Sequence, residues 1–245
     1  MNIQIAAEKV FSVFGLPITN TLLMSWVVVI FLILIARITY KKLSKIPGNR
    51  QNIIEFIIES LLGMMEKILG SREKAEKYFP LIATIFIMIL VSNWMGILPG
   101  VGSVGFYEHH GHEKIFVPIA RSLASDLNFT LAIAIVTIIM VNIAGARALG
   151  FGTHLSKFFN FKSPIGFFLG ILELFGEIAK IISFSFRLFG NVFAGEVLLI
   201  ITGFLVPFVV PVPFLMLEIF VGFIQALVFS MLSLVFVSIA IEHGH

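Results

Sequence analysis

Apolar residues occupy this chain in long blocks, not at alternating positions. Thr21 to Ile38, Phe79 to Leu98 and Leu127 to Ala148 are each almost continuous apolar runs, and roughly 20 such residues cross a bilayer as a helix. From Pro164 to Ile241 the apolar character hardly stops, breaking only around Pro207, Pro211 and Pro213. That pattern predicts a helical hairpin with arms Pro164 to Val206 and Phe214 to Ile241. The first arm, at some 40 residues, would be about 60 Å long against a hydrocarbon core of about 30 Å. It must therefore tilt strongly, bend, or begin outside the core. Thr39 to Tyr78 is the most polar stretch. Within it, Ile53, Ile54, Ile57, Ile58, Leu61, Leu62, Met65, Ile68 and Leu69 recur at helical spacing. This predicts an amphipathic helix over Gln51 to Leu69, lying on the membrane surface or under a partner, after a break at Pro47-Gly48-Asn49. Pro99-Gly100 ends the second run, and a glycine-rich loop follows. The expected fold is all-α, a single integral membrane domain over residues 1–245 with about five transmembrane helices and one surface helix.

Composition sharpens this. Apolar residues make up 58% of the chain, charged residues 13%, and mean hydropathy is +1.04; a soluble domain carries about a quarter charged residues. With no cysteine, disulfides, thiol catalysis and Cys-ligated metals are excluded. The first 20 residues carry Glu8 and Lys9 but no basic cluster. Ala36 is followed by Arg37, Ile38, Thr39 and Tyr40, not by a small-residue cleavage site, so the first run reads as a retained span. Arg37 to Lys77 holds nine Lys or Arg and Arg147 to Lys162 holds three, while Pro99 to Asp126 holds only Lys114 and Arg121. The positive-inside rule then puts the first and third connections in the cytoplasm (or matrix), the N-terminus outside and the C-terminus inside.

Charge inside the last hairpin is the main anomaly. Glu173, Glu177, Lys180, Arg187, Glu196 and Glu218 lie in apolar sequence, where each charge costs about 2.5 kcal/mol or more to insert. Such residues face protein or water and mark ion pathways. Glu173, Glu177, Lys180, Arg187 and Asn191 are separated by 4, 3, 7 and 4 positions, which puts them on one helical stripe. Glu196 lies about half a turn out of phase with Arg187 at roughly 100° per residue. Glu218 and Gln225 share a face of the last helix, and Glu196 and Glu218 both lie toward the outer end of the hairpin, where they can meet. A structural reading competes: Glu173, Glu177 and Lys180 also fit an interfacial salt-bridge network, and Asn191 and Gln225 fit interhelical hydrogen bonding. Arg187 stays protonated; it cannot relay a proton, but it can hold a mobile carboxylate ionised and block a cation from passing straight through.

The segment Arg187-Leu188-Phe189-Gly190-Asn191-Val192-Phe193-Ala194-Gly195-Glu196 resembles the signature of subunit a of F-type ATP synthases. Asn93-Trp94-Met95-Gly96-Ile97-Leu98-Pro99 is similar to that family's Asn-x-x-Gly-x-x-Pro span end, and Asp126-Leu127-Asn128 to its Asp-x-Asn span start. The resemblance covers roughly Asn52 to His243. It implies a stator subunit packed against a rotating ring of c subunits and held by peripheral-stalk subunit b. Two offset aqueous half-channels would carry protons, or Na⁺, to and from the ring carboxylates. By this resemblance Arg187 separates the half-channels. Asn191, Glu196, Glu218 and Gln225 line the outer one, and Ser183, Lys180 and Glu177 lie near the inner one. Members vary at the Glu218 position, some carrying His; a carboxylate there alters the pH dependence and not the role. A bacterial plasma membrane is expected, with a mitochondrial inner membrane the second choice.

No Walker A loop is present, so ATP chemistry is expected on a partner, and no cofactor, nucleotide or nucleic acid is called for on this chain. His109, His110 and His112, beside Glu108 and Glu113, offer metal ligands. Without a fourth ligand at suitable spacing they read as a solvated loop, as does Glu242-His243-Gly244-His245. Ser183 and Ser185 lack a nearby base, which disfavours an intramembrane protease. The rival reading is a self-contained secondary transporter; those show paired repeats, and the two halves show none.

Overall fold

The computed structural model describes residues 7–13, 15–44, 48–98, 100–110, 113–158, 164–207 and 209–242. Helices dominate it. Five described helices are long and apolar enough to cross a membrane: α1 Asn20–Lys41, α3 Arg72–Gly96, α4 Leu127–Leu149, α6 Pro164–Leu205 and α7 Pro211–Glu242. The chain is a multi-pass membrane protein. Of the two remaining helices, α2 Asn49–Leu69 is amphipathic and α5 Phe151–Leu155 is short. Two antiparallel hairpins complete the described elements: β1 Lys9–Val13 with β2 Leu16–Thr19, and β3 Gly105–His110 with β4 Glu113–Pro118. The second hairpin occupies the segment expected to be a loop.

Local chemistry sets the element ends. Thr19 starts α1, its hydroxyl accepting from the Leu22 N–H at 3.2 Å. Asp126 opens α4: Oδ1 accepts from Asn128 N at 3.0 Å while Oδ2 takes the Thr21 hydroxyl proton at 2.8 Å. At the end of α2, Gly70 adopts φ 73 and its N–H returns to Glu66 O, a left-handed cap that a side chain disfavours. Pro211 and Pro213 fall in the first turn of α7, where a missing N–H breaks no intrahelical bond. The last helix thus begins ahead of the expected Phe214.

The chain divides into two compact units, each collected from three separated segments. The first comprises Met1–Ile46, Ile87–Thr130 and Arg187–Ala226. Its apolar core sets Met24 and Val28 of α1 against Leu123, with Met88, Val91 and Met95 of α3 packed alongside. The second comprises Pro47–Phe86, Leu131–Phe186 and Leu227–His245. Here Leu61, Leu62, Met65 and Leu69 of α2 pack on Tyr78 and Ile82 of α3, Val141 of α4, and Leu234 and Val237 of α7. The Phe184 ring of α6 lies 4.5 Å from Phe229 and 5.5 Å from Phe236 of α7. The apolar stripe of α2 is therefore covered along its C-terminal half. Ile53, Phe56 and Ile57 at its N-terminal half stay exposed.

Candidate functional site

In the first unit the polar residues of α6 and α7 converge. Asn191 Nδ2 donates to Gln225 Oε1 at 2.8 Å, joining the two helices. Gln225 is buried, and its Nε2 has no hydrogen-bond partner among the described residues. Gly195 lets the helices close: a Cβ there would fall 2.8 Å from Glu218 Oε1. Asn93, near the end of α3, donates from Nδ2 to the Gly222 carbonyl at 3.1 Å, and its Oδ1 has no hydrogen-bond partner among the described residues. Trp94 Nε1 donates to the Ile219 carbonyl at 3.1 Å. Asn93, Asn191, Glu218 and Gln225 surround a small cavity of ≈ 10 Å³, about the size that takes one water molecule.

Arg121 completes the cluster. It is buried, and its Nε lies 3.6 Å from Glu196 Oε1. Glu196 Oε2, Glu218 Oε2, Ser92 Oγ and Ser122 Oγ are all buried without a hydrogen-bond partner among the described residues. Glu196 and Glu218 lie within electrostatic reach of each other. Glu8, at the foot of β1, accepts from Asn20 Nδ2 at 3.3 Å, and the same Nδ2 donates to the Pro118 carbonyl at 3.2 Å. Burial raises the Glu8 carboxyl above its ordinary range; the Arg121 charge opposes that and the Glu196 charge adds to it. Leaving buried polar atoms unpaired costs about 1–3 kcal/mol each. Several such atoms gather here in one place.

The second unit holds a different chain of contacts. Lys180 Nζ donates to Glu177 Oε1 at 2.7 Å, and its ammonium sits 5.0 Å from the centre of the Phe236 ring. Glu177 Oε2 accepts from Asn142 Nδ2 at 3.1 Å. Asn142 Oδ1 faces His154 Nε2 at 3.0 Å. Glu173 and Ser183 lie exposed on α6.

The site residues expected from the sequence are Arg187, Asn191, Glu196, Glu218, Gln225, Ser183, Lys180 and Glu177. The structure pairs Asn191 with Gln225 and Glu177 with Lys180, and sets Glu218 beside Gly195. Arg187 is half-buried and engaged by its surroundings. Arg121, Glu8, Asn142 and His154 were missed as site residues. In the sequence Arg121 counts only as one of two basic residues between Pro99 and Asp126; its place a few residues before Asp126-x-Asn128 was the one available signal. His112 and residues 243–245 lie outside the described residues, as do the side chains of His109 and His110.

Apolar helices that bury paired and unpaired carboxylates, amides and an arginine define a membrane protein of the ion-handling kind. The family profile described as ATP synthase A chain matches residues 22–238. ATP synthase subunit a of Moorella thermoacetica is 33% identical over 237 residues, 97% of each chain. That of Geobacter sulfurreducens is 33% identical over 224 residues, 90% of this chain and 87% of the relative. ATP synthase subunit a 3 of Pelobacter propionicus is 33% identical over 223 residues, again 90% and 87%. The chain belongs to the ATP synthase subunit a family.

Proposed function

We propose that this chain is the proton-translocating stator subunit of its ATP synthase, offering two offset aqueous half-channels to a rotating ring of c subunits. One observation carries the reading. Beside a water-sized cavity, the buried Oε2 of Glu218 and Nε2 of Gln225 have no hydrogen-bond partner among the described residues, and Glu196 Oε2 is buried in the same state. Fixed structural pairs would have satisfied these atoms; groups that exchange protons with water need them open. Asn191, Glu196, Glu218 and Gln225 form the outer leg, with Asn93 and Arg121 added to it. Ser183, Lys180 and Glu177 serve the inner leg. Arg187, positive at every physiological pH, divides the two and ionises each ring carboxylate as it passes. Phe168, Leu172, Phe175, Ile182 and Phe186 of α6 stay exposed at steps of three, four and seven, an apolar surface suited to a ring or lipid. Subunit b and lipid cover other faces. The basic connections favour an N-terminus outside and a C-terminus inside, and the bacterial relatives favour a bacterial plasma membrane. Each proton crossing gains about 2.3 kcal/mol per 100 mV.

Arg187→Ala tests the reading. Coupled ATP synthesis in membrane vesicles is expected to vanish while the complex still assembles. Synthesis at the parental rate would overturn the assigned role.

A further inference from the structure

His154 is buried, yet one of its ring nitrogens has no hydrogen-bond partner among the described residues. The Asn142 amide donates to the Ile138 carbonyl at 2.9 Å and to Glu177 Oε2 at 3.1 Å. Both donors being used, its Oδ1 can only accept, so the His154 Nε2 facing it at 3.0 Å carries the hydrogen. The neutral ring then keeps its lone pair on Nδ1, the unpartnered nitrogen. A proton arriving at Nδ1 makes the ring cationic without breaking the bond to Asn142. The ring is also held in place. A Cβ on Gly145 of α4 would fall 2.9 Å from His154 Cε1 and 3.0 Å from Ala240 Cβ of α7, and Phe158 meets the ring edge-on at 5.9 Å.

We propose that His154 is a positioning residue for Glu177 on the inner leg of the proton path, holding the carboxylate through Asn142 and tightening that hold when Nδ1 gains a proton. This rests on the proton-translocating reading. A cationic ring is a stronger donor to Asn142 and attracts the Glu177 carboxylate, so the carboxylate is held more firmly when the inner side turns acid. The charged groups that face the ring are Glu173 and Glu177 from α6 and Lys157 from the turn after α5. α4 meets it through Asn142 and Gly145, and α7 approaches Gly145 through Ala240, none of them charged. Burial, with Lys157, lowers the imidazole below the ordinary histidine value, and the two carboxylates pull it back. The ring therefore charges only below the ordinary histidine value.

The experiment uses inverted vesicles carrying the whole complex, whose medium is the inner side. ATP synthesis driven by an imposed gradient is measured from about pH 5.5 to about 7.5, spanning the ordinary histidine range, and normalised to ATP hydrolysis at each pH. His154→Gln keeps a donor for Asn142 but cannot charge; Asn142→Leu cuts the connection. In both, the acid limb of the profile is expected to move to higher pH by about one unit, the scale of a single charge–charge coupling. A parental profile in His154→Gln, or an equal drop at every pH in both variants, overturns the proposal. Arg187→Ala in the same vesicles separates the two readings. If it is silent while His154→Gln matches the parent, only the inference about His154 fails; if it synthesises normally, the translocation reading fails first.

Discussion

Arg121 and Glu196 are 75 positions apart in the chain and 3.6 Å apart in space. Breaking one side of a fully buried ion pair costs about 3–5 kcal/mol, less here because the Glu196 side chain is 30% exposed, and partners in one network are not additive. Glu196→Gln is therefore expected to slow proton flux. Arg121→Gln should slow it comparably, and the double variant no further than the worse single one. Flux measured in reconstituted vesicles checks this, with multiplicative losses arguing against a shared pair. Gly195→Ala places a methyl against the tip of Glu218. Glu218 can swing away, so assembly should survive while flux falls several-fold; an unchanged rate would show that the close approach is idle. The residues on α6 and α7 were legible because a charge in apolar sequence has few readings other than function. Arg121 and Glu8 were not, because in an outer polar segment a charge is ordinary until the fold buries it. His154 was hidden for the same reason: nothing in Phe-Gly-Thr-His-Leu foretells Asn142 as its partner.

Among the elements, the helices were readable from block length alone, since a bilayer core of fixed thickness demands a minimum apolar run. The two hairpins were not. A two-stranded ribbon carries too few positions to show a clear alternation, and the segment Gly105 to Pro118 includes Glu108, His109, His110 and Glu113. α2 was recognised by its period, but its cover was not: Met65, fully buried, meets three other helices' residues in one core. Met65→Ala is expected to cost about 2–5 kcal/mol, seen as a lower thermal midpoint in detergent. Gly70→Ala, at φ 73 with open space around it, should cost about 1 kcal/mol through backbone strain alone. An equal fall in the two midpoints would contradict the distinction.

At the scale of the whole molecule, the basic connections predict that residues between Lys41 and Lys77 are reached by an impermeant reagent only from the inner face; labelling of intact cells from outside would reverse the topology. His154 adds a pH dependence of stability. Its folded imidazole binds protons less readily than the unfolded one. Stability is thus complete above about pH 6.5, the ordinary histidine value, and falls as pH drops through it, because the unfolded chain takes up a proton the folded chain resists. His154→Gln should flatten that decline in thermal melts of the purified complex, and an equally steep acid loss would assign it elsewhere.

Interleaved segments have a consequence for biosynthesis. Both units draw on chain that lies beyond Arg187, so a ribosome that has produced α1 through α5 has completed neither of them. The early helices must wait in the membrane for partners not yet translated, with Asn93, Arg121 and Asn142 facing whatever the insertion machinery supplies. A nascent chain arrested before α7 would lack Glu218 and Gln225 on one side and Phe229, Leu234 and Val237 on the other. Such a product is expected to be cleared by membrane proteases along its whole length, with no stable amino-terminal fragment left behind.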